Sequence, residues 1–120
     1  MNKMQILQAF WSSFGLKAYD ETSVPDNAQL PYITYEASSD EFGHAIPHTA
    51  SLWYRSSSWA DIVAKEEQIA DFIGRGGVMV SHEGGSMWMQ KAIPWAQRMG
   101  DESDEMIRRI VLNLTVEFLS

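Results

Sequence analysis

Arg109-Ile110-Val111-Leu112-Asn113-Leu114-Thr115-Val116-Glu117-Phe118 decides how the rest of the chain reads. Ile110, Leu112, Leu114, Val116 and Phe118 fall on one side of an extended backbone. Arg109, Asn113, Thr115 and Glu117 fall on the other, with Val111 as the exception. Successive strand side chains point to opposite faces, so the alternation predicts a half-buried strand from Arg109 to Leu119. An extended segment needs partners, and the sequence upstream supplies them. Val78-Met79-Val80-Ser81 and the run from Ser86 to Ile93 read as two strands around a His82-Glu83-Gly84-Gly85 turn. Pro94 to Asp104 reads as irregular and acidic.

Further upstream the period changes. Ser58-Trp59-Ala60-Asp61 has the chemistry of a helix start, a hydroxyl acceptor followed by a carboxylate near the positive end of the dipole. Trp59, Ile62, Val63, Ile69, Ala70 and Ile73 then share a face up to Gly74, and Arg75-Gly76-Gly77 ends the helix. Before it, Tyr32 to Ala37 and His48 to Arg55 are β-branched and aromatic runs that predict an antiparallel hairpin. The segment from Ser38 to Pro47 reads as the loop between them. Asp20 to Gln29 is a polar surface loop turned by Pro25-Asp26-Asn27. At the start, Met4, Leu7, Trp11 and Phe14, with Ile6 and Phe10 beside them, form a helical stripe that stops at Gly15. The expectation is one α+β domain over residues 1–120. Its order is α-β-β-α-β-β-β, an antiparallel or mixed sheet of four to five strands with two helices on one face.

Composition bounds the function. The length of 120 residues suits one domain. A formal net charge of −7 disfavours a phosphate backbone or an anionic lipid surface as a partner. The chain has no cysteine, which excludes disulfides, thiolate nucleophiles and Cys-ligated zinc and fits a reducing cytoplasm. No run reaches the length of a membrane span, and no export signal is evident at the start.

No constellation predicts catalysis, a cofactor or a metal. His44 and His48 have a spacing that suits two metal-ligating imidazoles only on a helix, and Gly43 and Pro47 read against one. Both histidines are expected in a loop. His82-Glu83 are adjacent residues with no nucleophile beside them, which a turn explains. Ser56-Ser57-Ser58 lacks the glycine-flanked elbow of a serine nucleophile. The glycine pairs at 76–77 and 84–85 lack the spacing of a dinucleotide or phosphate-binding loop. Asp101 to Glu105 lacks the glycine and terminal glutamate of a calcium loop. What remains is an excess of large soft side chains, with five Trp and seven Met. They either fill the interior or meet another subunit.

In the order of its elements the chain resembles the tail terminator, or tail completion, proteins of long-tailed bacteriophages and prophages. The resemblance rests on the N-terminal helix, the Leu30-Pro31-Tyr32-Ile33-Thr34-Tyr35 strand after its loop, the Trp59 to Ile73 helix between two strand pairs, and the long closing strand. It implies a non-enzymatic virion protein without cofactors. Such a protein forms a ring with itself, generally a hexamer, caps the polymerised tail tube protein and meets the head–tail connector protein. DNA passes through the ring without specific binding, and the acidic charge suits such a lumen. The implied location is the virion tail, and the host cytoplasm during assembly, with no membrane. A head–tail connector or neck protein shares these properties, and a small-molecule or peptide-binding module using the aromatic sheet face is the alternative from another class. The subunit contact is expected at Val78, Val80, Met87, Trp88, Met89 and Trp95. The loops carrying Asp20, Glu21, Asp26, Asp40 and Glu41 are the expected lumen or docking loops.

Overall fold

The closing strand is the spine of the molecule. The structure, a computed structural model, describes residues 2–36, 44–100 and 104–119. Strand β6 runs Ile107–Phe118, and Ile110, Leu112, Leu114, Val116 and Phe118 are all buried. Fully burying such a side chain stabilises by about 1.5–3 kcal/mol, so this strand contributes a large part of the core.

On one side β6 pairs antiparallel with β3 (Ala45–Arg55), from Ala45 opposite Glu117 to Arg55 opposite Ile107. On the other it pairs antiparallel with β5 (Gly85–Gly100). Strand β2 (Tyr32–Tyr35) adds to β3 antiparallel, and β1 (Lys17–Asp20) adds to β2 in parallel. Strand β4 (Val78–His82) closes the other flank against β5 through the Glu83-Gly84 turn. The result is a six-stranded mixed sheet, curled into a half-barrel, in the order β1-β2-β3-β6-β5-β4.

Helix α1 (Lys3–Trp11) starts in a capping box. The Asn2 side chain accepts from the Gln5 N–H, and the Gln5 side chain accepts from the Asn2 N–H. A 3₁₀ turn, Ser12–Phe14, follows and ends at Gly15, whose φ of 84° is the left-handed value glycine tolerates. Helix α2 (Ala60–Ile73) buries Ile62, Ile69 and Ile73. Its Lys65 Nζ donates to the Phe14 carbonyl at 2.7 Å, which ties the two helices together. One core cluster joins both helices to the alternate residues of the sheet, from Ala18 and Ile33 to Met87, Met89 and Phe118.

The observed order is α-β-β-β-α-β-β-β, so the sheet has one more strand than the sequence suggested. The missed strand is β1. It has four residues, of which only Ala18 is buried, and so carries no alternation to read. Three boundaries also move. Residues 45–47 belong to β3 through their pairing with Glu117 to Thr115 of β6, while β2 covers β3 only from Ala50 to Trp53. The missing N–H of Pro47 therefore faces no ladder. Strand β5 continues through Pro94 to Gly100, broken by a bulge between Lys91 and Ala96. Ser58 Oγ accepts from the Ala60 N–H at 3.0 Å, just outside the helix it was expected to cap.

Candidate functional site

The expected contact residues divide by face. Met87 and Met89 are fully buried and Val80 nearly so, all in the monomer's own core, and Val78 is partly buried against it. Trp88 alternates onto the opposite face, half-buried, directly across from Met79 on β4 and Glu117 on β6. Met79 is 48% exposed. Trp95 turns back to the helical side, where its Nε1 donates to Glu66 Oε1 at 2.6 Å.

Among the described residues no helix joins the core from the face that holds Trp88, and the side chains there cover one another. Trp53 Nε1 donates to Thr34 Oγ1 at 2.9 Å, and the Arg109 guanidinium lies 4.5 Å from the Trp53 ring centre while its Nε donates to Ser51 Oγ at 3.2 Å. Thr34 and Ser51 are buried by this arrangement. Tyr19 and Tyr32 meet edge to face beyond it. Four of the five arginines, Arg55, Arg98, Arg108 and Arg109, stand at one end of β3, β6 and β5. Arg98 and Arg108 both lie over the Trp59 ring, at 5.1 and 5.2 Å from its centre, and Arg55 pairs with Asp104 at 2.5 Å. Cations held over aromatic faces keep their charge while their stems cover apolar surface.

The acidic loop residues lie at the opposite flank of the sheet. Asp20 ends β1, and its Oδ1 accepts from the Thr22 N–H at 2.9 Å and the Thr22 hydroxyl at 2.7 Å. Glu21 and Asp26 are exposed in the crossover from β1 to β2. Asp40 and Glu41 lie outside the described residues. Burial, and then the Asp20 charge, push the Tyr35 phenol up from its ordinary range.

His48 belongs to the strand expected from His48 to Arg55 and not to a loop shared with His44. It sits on β3 at 2% exposure, with Trp11 Nε1 donating to its Nε2 at 3.0 Å. Burial lowers its pKa to about 4. Among the described residues no group of His, Asp or Glu is arranged to hold a metal ion, and no helix is long and apolar enough to cross a membrane.

The surface also carries residues that the sequence reading did not single out. Ile93 is fully exposed at the β5 bulge, Phe72 is 52% exposed on α2, and Met99 is 44% exposed near the end of β5. The available signal was Pro94 inside a strand-like run, since a proline there marks a bulge or an edge. Compared with protein-family models, curated proteins and solved structures, the chain matches none of them.

Proposed function

We propose that this chain is a non-enzymatic assembly protein of a long-tailed phage or prophage tail. It forms a hexameric ring that caps the tail tube and presents a second surface to the head–tail connector. The observation that carries this reading is the exposed apolar set of Met79, Ile93 and Met99 on β4 and β5, at one flank of the sheet, with Phe72 on α2, the helix packed over β3, β6 and β5. Among the described residues strand β4 there has an unpaired ladder edge, and the strand itself carries no proline or lysine to guard it. Exposed apolar side chains beside an unguarded strand edge are a contact surface waiting for another chain. A ring subunit also needs two chemically different partner surfaces. The arginine and tryptophan end and the acidic β1 flank supply that difference.

The same features suit a neck or connector ring, which differs in its partner rather than in its construction. Negative-stain imaging of the concentrated protein, alone and with isolated tail tubes, tests the reading. Closed rings that seat on tube ends are the expected result. Rings that form but leave the tube ends bare would favour the neck role, and the absence of rings in both samples would contradict ring assembly altogether.

A further inference from the structure

Ile93 is the one large apolar side chain among the described residues that is completely exposed, and it stands on a bulge. The β5 ladder to β6 stops at Lys91 opposite Leu114 and resumes at Ala96 opposite Leu112. Residues 92–95 therefore have no register partner on β6, and Ile93 and Pro94 project as a short apolar knob whose peptide groups lie outside the ladder. From the helical side Trp95 anchors this knob through its bond to Glu66.

Elsewhere on the same chain is a cleft of about 560 Å³ between the ends of α1 and α2 and strand β4. Phe10, Phe14 and Phe72 form its aromatic wall, with ring centres 5.2 to 6.0 Å apart. Phe72 is half in solvent there. Asp71 stands on the rim, and His82 lines the β4 side with a buried Nε2 that has no hydrogen-bond partner. A buried polar atom left unpaired costs about 1–3 kcal/mol, so this one marks a position where a partner group would be stabilising.

We propose that the Ile93–Pro94 bulge of one copy inserts into the Phe10–Phe14–Phe72 cleft of a second copy. This contact rests on the ring-assembly reading and names the surfaces that join neighbouring subunits. Three features match. The knob is apolar and the cleft wall is aromatic. The bulge carries residues 92–95 outside the β6 register, where, among the described residues, the Pro94 carbonyl accepts only from a side chain, Asn113 Nδ2 at 3.1 Å, and the cleft holds an unpaired imidazole nitrogen. Lys91, two residues before the knob, and Asp71, on the rim, have opposite charges and make no ion pair among the described residues. A projecting apolar group that fits a pocket elsewhere on the same molecule is the ingredient of a head-to-tail contact.

The test is analytical ultracentrifugation of the full chain and of three variants. Ile93→Asp cannot disturb the fold through packing, because the side chain touches solvent only. Phe72→Asp fills the cleft with charge, and Ser13→Trp, at an exposed position on the cleft's lining, blocks it without removing core atoms. Each variant alone is expected to lose the oligomer at concentrations where the wild-type chain forms it. An equimolar mixture of Ile93→Asp with either cleft variant restores one intact contact and is expected to give a heterodimer. A wild-type oligomer that survives both Ile93→Asp and Ser13→Trp would overturn this contact while leaving ring assembly standing. A wild-type chain that remains monomeric at every concentration would overturn both. Stabilisation of the monomer by a small aromatic ligand, lost in Ser13→Trp, would assign the cleft to a ligand instead.

Discussion

At the scale of single residues, the Trp11–His48 pair shows how a buried polar group is accommodated. The indole N–H needs an acceptor in the core, and neutral imidazole offers one at Nε2. Protonating that nitrogen would set two N–H groups against each other, in surroundings that already disfavour charge. The folded pKa of about 4 lies below the ordinary value of 6.5, so the unfolded chain takes up a proton that the folded chain refuses. The pair's contribution is fully present above pH 6.5 and is lost as the pH falls toward 4. A shift of that size corresponds to about 3 kcal/mol. The urea midpoint is expected to drop across this interval, and to drop less in His48→Gln, which keeps an acceptor for Trp11 and removes the proton site. Parallel pH curves for the two proteins would contradict the assignment. Histidine spacing alone raised His44 and His48 as a pair. The strand expected from His48 to Arg55 already places His48 on the face of Ala50 and Leu52, but nothing in the sequence shows that Trp11 meets it there.

At the scale of elements, legibility followed length and alternation. Strand β6 was readable because ten residues repeat the same two-residue pattern with one exception. Helix α2 was readable because Ile62, Ile69 and Ile73 recur on one face. Strand β1 was hidden because its pairing is parallel and reaches β2 only through a polar crossover. The far half of β5 was hidden because Pro94 looks like an end, whereas here it lies within a bulge and the ladder resumes at Ala96. The α1 stripe of Leu7, Trp11 and Phe14, with Ile6 and Phe10 beside it, is buried as its spacing predicts, and of the residues in that reading Met4 is the exposed one. The start of β4 gives the prediction at this scale. Gly77 has a φ of 95°, and a Cβ there would stand 2.7 Å from the Met89 carbonyl oxygen and 2.9 Å from Trp88 Cζ2. Gly77→Ala is expected to cost about 1–3 kcal/mol of unfolding free energy by chemical denaturation. Gly76→Ala, where nothing lies within 4 Å, is expected to cost far less. Equal losses at the two positions would contradict the close approach.

At the scale of the whole molecule, the fold places its core residues on one sheet face and leaves the other to self-covering polar and aromatic pairs. Of the hairpin residues expected at the subunit contact, Val80, Met87 and Met89 belong to the core, while Trp88, across from Met79, reaches the outer face. Their burial followed from strand alternation, but which face the helices would cover could not be read without the tertiary arrangement. Trp88→Asp is therefore expected to leave the monomer folded by circular dichroism and to weaken assembly. Met87→Asp is expected to unfold it, since a charge would be placed among fully buried neighbours. An unchanged oligomer in Trp88→Asp would remove Trp88 from the contact.

The central claim is that the chain assembles with itself into a closed ring. The molar mass of the purified protein, measured by light scattering on a sizing column over a wide concentration range, tests it most directly. The account predicts a discrete species at the hexamer mass of a 13.6 kDa chain, reached without a continuous series of larger particles. A monomer at every concentration, or open-ended growth with no fixed mass, would contradict it.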